Sequence, residues 1–480
     1  MRKFIIAALF GATLSGCMVG PDYVRPTVEV PAAWRIDYPK ASDVANIKWW
    51  EQFGDPVLNE LIETSLRENR DVRIAAARVD QFIGALMSTR SQLFPQVGYG
   101  TDVSRFRASR VTLPALPSGV DNYFTLYEAS LGTSWQLDLF GRVRRQTEAA
   151  QAQVYASEQG QRGVVLTLVA SVASTYIGLR ALDRQREIAQ ATAKNFGETA
   201  RIFSLRHKAG LVSQTEVAQI ESQYQLALAA IPAIEQAIAV QENMISVLQG
   251  RNSEAIPRGK TIDQLVPPLI PADLPSTLLE RRPDILQAEQ NLVAANANIG
   301  AAKALYFPTF SLTGALGSAS TAFGTFLSGP ASAWLIGASL AGPIFTFGGI
   351  EGQVRGAEAT ERAALSFYQQ TILNAFRETN NALVGSQKKI EEVDRQTQRV
   401  VSLRGFARLS RLKFDKGIAS YLDVLVAEND LFAAELAAVS LLADRYTQLV
   451  NVYQAMGGGW VDIAGSIAPK PQGLAAISAP

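Results

Sequence analysis

The chain has 480 residues, and its 45 Lys and Arg nearly balance its 44 Asp and Glu, for a formal net charge of +1. Proteins that bind nucleic acid usually carry a basic field, so this balance argues against nucleic acid as a partner. With one histidine, His207, and one cysteine, Cys17, the chain can form neither an intrachain disulfide nor a cluster of imidazole and thiolate ligands. We therefore expect no cofactor, no transition-metal centre and no thiol catalysis.

The first residues have the pattern of a secretory signal. Arg2 and Lys3 precede a short apolar segment over 4–14, and Leu14-Ser-Gly-Cys17 follows. The apolar segment is too short to span a membrane. We predict that residues 1–16 are a lipoprotein signal peptide and that Cys17 is the lipid attachment site of the mature chain. An ordinary secretory signal with a chance cysteine is the alternative.

An N-terminal extension over 17–54 follows the signal. Beyond it, no stretch reaches the ~20 consecutive apolar residues that a transmembrane helix needs, and the best is a short run over 164–170. If the mature chain crosses a membrane, we expect it to cross as β-strands.

The rest of the chain contains a tandem duplication. The segment 208–217 recurs 207 residues later as 415–424, and the same offset places Phe140-Gly141 on Phe347-Gly348. Leu93-Phe-Pro95 pairs with Tyr306-Phe-Pro308 at a slightly larger offset. We assign the first repeat to 55–250, a proline-rich connector to 251–272, the second repeat to 273–457 and a C-terminal tail to 458–480.

Each repeat has the same predicted order of elements. A helix ends at Pro95 or Pro308, because proline cannot continue a helix and restricts the residue before it. Two strands follow in which residues alternate between two faces. Leu131, Thr133 and Trp135, for example, alternate with Ser130, Gly132 and Ser134. Such strands face two different environments.

A very long helix is predicted after the strands. From residue 141 to about 207 there is no proline, and strong helix formers dominate. A helix of this length would reach roughly 100 Å, which a compact domain cannot contain. Gly210 and Gly417 then mark tight turns into return helices.

These features resemble the TolC-like outer membrane efflux protein family, and Cys17 points to its OprM-type lipoprotein branch. The marks that carry the resemblance are the two repeated Phe-Pro motifs, the run 135–141, Glu280-Arg-Arg-Pro-Asp-Ile285 and the two glycine turns. The resemblance implies an α+β membrane protein with three chains in the channel. Each chain would give four strands to a 12-stranded outer-membrane β-barrel, which a periplasmic α-helical barrel with a mixed equatorial belt continues.

The resemblance also implies the function and the partners. The channel would passively conduct drugs or other small molecules, loaded by an inner-membrane RND-type pump and a periplasmic membrane-fusion adaptor. Outer-membrane lipid would surround the barrel, and no chemical step is needed.

The resemblance places the functional residues at the periplasmic tips. The gate would be formed by Leu422, with Val426 one turn later where the family pattern tends to have an acidic residue, so that Asp423 is a further gate candidate. The adaptor would dock on the two turns, which comprise Gly210, Leu211, Val212 and Ser213 in the first repeat and Gly417, Ile418, Ala419 and Ser420 in the second. The alternative is that these glycines only end helices.

Other polar residues have structural interpretations. His207 suits a helix end, and Pro283 with Asp284 suits a helix start. Three arginines follow the strand and could meet lipid head groups or be solvated: Arg142, Arg144 and Arg145.

The alternatives to efflux are an enzyme, a scaffold lipoprotein and a protein secretion duct. An enzyme would need a nucleophile, a base and an orienting group, and no such motif is present. A periplasmic coiled-coil scaffold lipoprotein would explain the signal and the helices but not the strands. The duct of a type I protein secretion system remains the nearer alternative.

Overall fold

The computed structural model describes residues 18–31, 34, 47–109, 111, 119, 121–270 and 278–473, so that Cys17 lies outside the described residues. Helices alternate with two pairs of strands in the order that the duplication predicts. The elements are α1 Pro56–Glu68, α2 Arg70–Ser91, β1 Gln96–Arg107, β2 Tyr123–Leu137, α3 Arg142–Lys208, α4 Gln214–Leu248, α5 Leu278–Arg281, α6 Pro283–Lys303, β3 Thr309–Ser320, β4 Ser332–Ala341, α7 Gly349–Asp415, α8 Tyr421–Met456 and α9 Trp460–Ile467.

The four strands form one antiparallel sheet in the order β1-β2-β3-β4. Each repeat supplies one hairpin, and the two hairpins have the same register: Gln96 lies opposite Ser134, and Thr309 lies opposite Ala341. These pairs are related by the same two offsets that relate the sequence motifs. The duplication is therefore preserved at the level of strand pairing.

The long helices of the two repeats have equal length. α3 and α7 each contain 67 residues, and each follows a glycine in the left-handed conformation, Gly141 with φ 77° and Gly348 with φ 84°. At 1.5 Å per residue each helix is about 100 Å long, as predicted. The return helices α4 and α8 contain 35 and 36 residues.

The helices form a layer in which pairs of shorter helices lie end to end beside the long ones. α3 packs between α2 and α4 on one side and α6 and α8 on the other, whereas among the long and return helices α7 packs mainly against α6 and α8. Trp34, near the N-terminus, also contacts Phe376 of α7. The end of α4 meets the start of α2 where Asn69 Nδ2 donates to the Leu248 carbonyl at 2.9 Å. The end of α8 meets the start of α6 where Arg282 Nη1 donates to the Ala455 carbonyl at 2.8 Å. α7 and the α2/α4 pair are thus the two edges of the layer.

An aromatic core joins the N-terminal extension, the connector and the tail on one face of this layer. Trp49 stacks on Tyr453 with ring centroids 5.0 Å apart, and Trp460 meets Trp49 edge-on at 5.8 Å. From the connector, Leu265 is buried in the same cluster and accepts a hydrogen bond from Tyr446 Oη at 2.9 Å. We call this face, built by 47–55, 251–270 and 457–473, the belt.

The segment 18–31 begins beside the start of α3, next to the sheet, and runs along α6. Met18 sits against Gly141, where an added Cβ would come within 3.0 Å of the Met18 Cα. Gly20, with φ 101°, lies so close to Gly300 that an added Cβ would be 2.3 Å from the Gly300 Cα. We call residues 18–31 the N-terminal strap.

The suggestion that Arg145 meets lipid head groups or is solvated is wrong. Its side chain is only 2% exposed, and its guanidinium pairs with Asp22 of the strap at 2.7 Å and with Glu148 at 2.8 Å. Burial opposes the charged form, but these hydrogen bonds and charges raise the pKa of Arg145. Arg144 is also engaged, since its Nε lies 3.3 Å from a carboxylate oxygen of Asp138.

Within the described residues, one helix is long and apolar enough to cross a membrane by length and composition alone. It is α3, which contains the short apolar run 164–170, but 67% of its most apolar stretch is buried inside the protein. A buried stretch of this kind is also typical of a core helix.

Candidate functional site

The two faces of the sheet differ in composition. One face carries large apolar side chains on all four strands, among them Val97, Tyr99, Val103, Leu131, Trp135, Leu137, Phe310, Leu312, Leu316, Trp334, Ile336 and Leu340. The other face carries mostly small and polar residues, among them Gln96, Gly98, Gly100, Asp102, Ser104, Glu128, Ser130, Gly132, Ser134, Ser311, Thr313 and Ser339. Apolar-out and polar-in alternation is the signature of a transmembrane β-barrel wall.

Both turns between the paired long helices are closed in the same way. Gly210 has φ 73° and Gly417 has φ 72°, a region that favours glycine. In the first turn Leu211 N donates to Arg206 O at 2.9 Å, and in the second Ile418 N donates to Lys413 O at 2.9 Å. These six-to-one bonds are the Schellman arrangement that ends a helix.

A serine starts each return helix. Ser213 Oγ accepts from the Glu216 amide at 3.3 Å, and the Glu216 carboxylate accepts from the Ser213 amide at 2.8 Å, which is a complete capping box. Ser420 precedes α8, and its Oγ donates to Asp423 at 3.3 Å. Between glycine and serine, Leu211 is 74% exposed and Ile418 is 75% exposed. Each turn therefore presents one apolar side chain to solvent.

His207 has the structural place that we expected. It lies in the last turn of α3, and its Nδ1 is 3.0 Å from the Val212 carbonyl.

The predicted gate residues fall into two groups on α8. Leu422 and Val426 are one turn apart and half exposed, at 52% and 49%. Asp423 points about 100° away around the helix and is engaged with Ser420 at the helix start. Leu422 and Val426 thus form an apolar stripe that Asp423 does not share, and the gate assignment stays a prediction.

An aromatic cluster behind this stripe joins the two hairpins. Phe203 of α3 lies with its ring centroid 4.5 Å from Tyr421 and 6.0 Å from Phe414. Tyr421 is buried with Val424 and Leu425 in the same cluster. The tip of the second hairpin is therefore held against α3 by side chains one turn from the predicted gate.

A partly buried ion pair borders the cluster. Glu428 of α8 lies 3.7 Å from Arg411 of α7, whose guanidinium is 5.9 Å from the centre of the Tyr421 ring. Burial raises the pKa of the Glu428 carboxyl above its ordinary value, although Arg411 acts in the opposite direction. Burial and the charge of Glu428 likewise raise the pKa of Tyr421.

Sequence reasoning missed the group formed by Phe203, Arg411, Tyr421 and Glu428. Its members come from three helices, and Phe203 precedes the other three by more than 200 residues. The available signal was the position of Tyr421 and Glu428 within one helical segment beside the recurring glycine motif, which could have placed them near the tip but not in contact.

Comparison with known proteins gives a consistent result across the chain. The model of the family described as outer membrane efflux protein matches residues 61–251 and 274–458. The toluene efflux pump outer membrane protein TtgC of Pseudomonas putida is 34% identical over 477 residues, which cover 97% of each chain. The antibiotic efflux pump outer membrane protein ArpC of Pseudomonas putida has the same identity and coverage.

Solved structures agree with the sequence comparison. The open state of the MtrE outer membrane channel of Neisseria gonorrhoeae superposes with a TM-score of 0.84 at 29% identity, over 95% of this chain and all of that one. The two matched family segments coincide with the two repeats, and the apolar sheet face suits an outer-membrane wall. The chain therefore belongs to the outer membrane efflux protein family, and it is an outer-membrane channel that serves efflux.

Proposed function

We propose that three copies of the chain close into one duct that passively conducts drugs or other small molecules out of the cell. The observation that carries this proposal is the four-stranded sheet with an apolar face and two unpaired edges, β1 and β4. Lipid does not tolerate open sheet edges, and four strands cannot close a barrel. Three copies would give a barrel of twelve strands without an edge.

The internal repeat supports a definite pairing between copies. Within the chain, Thr133 of β2 lies opposite Gly314 of β3. The repeat offsets carry Thr133 to Leu340 of β4 and Gly314 to Thr101 of β1. If β4 pairs with the next copy's β1 as β2 pairs with β3, Leu340 lies opposite Thr101 of the partner subunit, and both side chains point to the lipid.

The helical layer supports the same ring. α7, at one edge, buries about half as many side chains as its counterpart α3, which lies inside the layer. Large apolar residues are exposed along α7, among them Phe367, Leu373, Val401, Leu409 and Leu412. Neighbouring copies would cover them.

The mature N-terminus suits a lipid anchor. Met18, the residue after Cys17, lies against Gly141 just below the strands, and Val19 N donates to the Phe140 carbonyl at 3.3 Å. Acyl chains on Cys17 would therefore enter the periplasmic leaflet beside the barrel without stretching the strap.

The tips would receive the partners. In a ring of three copies the exposed Leu211 and Ile418 form six apolar points in near six-fold arrangement, which suits docking of a periplasmic membrane-fusion adaptor that links the duct to an inner-membrane RND-type pump. Conduction needs no chemical step, and we propose no catalytic role.

The test is a deletion strain that is restored with the wild-type gene or with Cys17→Ala. We expect deletion to raise sensitivity to several unrelated compounds and the wild-type gene to restore resistance, while the alanine variant reports the contribution of the anchor. Unchanged sensitivity together with retention of a normally secreted protein would instead support the protein secretion duct.

A further inference from the structure

A recess of about 730 Å³ opens where α8 ends and α6 begins, between α3 and α7. Its volume falls in the range of sites that hold drug-sized molecules, roughly 300–1,000 Å³. The recess is lined by Gly163, Leu166 and Thr167 on α3, Arg282, Pro283 and Asp284 at the start of α6, Arg377, Glu378, Asn381, Ala382 and Gly385 on α7, and Gln448, Asn451, Gln454 and Ala455 on α8.

The recess faces away from the belt. On α8 the belt is contacted by Tyr446 and Tyr453, which donate hydrogen bonds to connector carbonyls. Gln448 and Asn451 lie about half a turn from these tyrosines. Asn451 follows Val426 by about seven helical turns, so the recess and the predicted gate stripe share one face of α8. In the proposed duct that face is the lumen wall.

The charged side chains at the recess bond one another and the backbone, and their charges cancel. Arg282 is 7% exposed and bonds the Ala455 carbonyl, Asp284 at 2.7 Å and Glu378 at 2.8 Å. Arg377 lies 3.7 Å from Glu378. Two arginines thus face two carboxylates, and the recess has no net charge to select an anion or a cation.

The amide side chains at the recess differ from the charged ones in their hydrogen bonding. The side chains of Asn381, Gln448 and Asn451 make no hydrogen bond to any part of the chain that the structure describes. Beside them lie the apolar surfaces of Leu166, Pro283 and others. The lining therefore offers donors and acceptors next to a hydrophobic surface, which is how sites for small organic molecules are built.

The first repeat shows that helix packing does not require this polar lining. Gly385 and Gln448 recur there as Gly178 and Gln241, where the same glycine-to-glutamine contact is kept. At the places of Asn381 and Asn451, however, the first repeat has Ser174 and Met244.

We propose that the recess is a binding site in the duct wall for a drug-sized amphipathic molecule that is neutral or zwitterionic, held during its passage. This inference rests on the proposed function, since it requires the face of the helical layer opposite the belt to line the lumen of the duct. The amides would hydrogen-bond the polar groups of the solute, and the apolar lining would cover its hydrophobic part.

Two variants alter the recess without disturbing its frame. A Cβ added at Gly163 meets nothing within 4 Å, so Gly163→Leu fills the recess without a clash. Asn451→Met installs the residue that the first repeat carries at the equivalent position. The matched control is Gly356→Leu, because Gly356 also has open space around it and precedes Asn381 by about seven turns on the same face of α7.

The experiment is equilibrium dialysis of tetracycline, a zwitterion at neutral pH, against the purified full-length trimer, with the same detergent in both chambers. We expect saturable binding at one site per chain, weakened about tenfold or more by Gly163→Leu and several-fold by Asn451→Met, and unchanged by Gly356→Leu. Non-saturable binding, or equal binding by wild type and Gly163→Leu, would overturn the proposal.

Trimer formation and restored resistance are measured on the same proteins. If both hold while wild type fails to bind tetracycline saturably, only the recess assignment falls. If wild type neither forms a trimer nor restores resistance, the proposed function itself falls.

Discussion

Arg145 and Arg282 show how single charges fix long-range structure in this chain. Each guanidinium is at least nine-tenths buried and joins segments far apart in sequence, the N-terminal strap to α3 and the start of α6 to the end of α8 and the middle of α7. The sequence places Arg282 beside a helix start, and that prediction is confirmed. It gives no sign that Arg145 is buried, because its partner Asp22 is more than a hundred residues away.

Removing the Arg145 side chain should destabilise the membrane-proximal end of the helical layer. Arg145→Ala removes a buried side chain and leaves the strap carbonyls of Val19 and Gly20 without their donor, and losing the partner of a buried polar group typically costs about 1–3 kcal/mol. The matched control is Arg201→Ala, since Arg201 forms a solvent-exposed pair with Glu198 and its loss should change stability little. Thermal unfolding of the trimer measures both, and equal small shifts would contradict the role of Arg145.

Glu428 should make the tip more stable in mild acid. Burial raises the pKa of Glu428, so the folded chain holds its proton more tightly than the unfolded chain does. The contribution of this group to stability is therefore largest below the ordinary glutamate pKa and declines as pH rises through the raised pKa.

Comparing thermal unfolding of wild type and Glu428→Gln between about pH 4 and 7 isolates this contribution. The advantage of the glutamine variant should grow as pH rises. A difference between the two proteins that does not vary with pH would show that burial does not perturb the carboxyl.

Elements were predictable where the pattern is local. The long helix from residue 141 to 207 is confirmed as α3, and the glycine turns are confirmed by their positive φ values. The aromatic core of the belt could not be predicted. Trp49 and Trp460 lie in short segments without periodicity, and the position of Tyr453 on α8 does not show which segment covers it. The contact of Phe203 with Tyr421 depends likewise on how two hairpins pack.

Gly417→Pro should abolish efflux while the trimer still assembles. The Gly417 amide donates to Phe414 O at 2.8 Å, and proline has neither this N–H nor access to φ 72°. Gly417→Asn is the control, because asparagine tolerates the left-handed region and should keep most activity. Dye efflux and trimer yield are measured together, and normal export by the proline variant would refute the docking assignment at the tips.

The two faces of the sheet should respond differently to charge. Leu131→Arg places a cation on the apolar face, where the cost near the bilayer midplane is about 2–4 kcal/mol. Ser130→Arg changes the neighbouring residue on the polar face and should be tolerated. The yield of membrane-inserted trimer reports the difference, and equal yields would contradict the assignment of lipid and lumen faces.

At the scale of the whole molecule, the duplication makes the single chain an incomplete object. The pairing of β2 with β3 and the packing of α3 on α6 and α8 join the two repeats within the chain, and in the proposed ring another copy supplies the equivalent contacts to β1, β4 and α7. The sequence predicted this arrangement because the repeat and the strand alternation are both visible in it. It could not reveal the recess beside Arg282, which exists only where two helices meet end to end against two others.

The measurement that tests this account most directly is cross-linking between copies through Leu340→Cys and Thr101→Cys in one chain. Cys17 is the only native cysteine. Within one chain Leu340 and Thr101 lie on opposite edges of the sheet and at different levels, since Leu340 aligns through Phe310 with Leu137 and Thr101 aligns with Ala129. Three strand spacings alone separate them by roughly 14 Å, which is too far for a disulfide. Oxidation should therefore yield covalent dimers and trimers, and the pair Leu340→Cys with Val103→Cys, displaced by two residues, should cross-link less. Monomers alone, or stronger cross-linking by the displaced pair, would contradict closure of the barrel by β4 and β1.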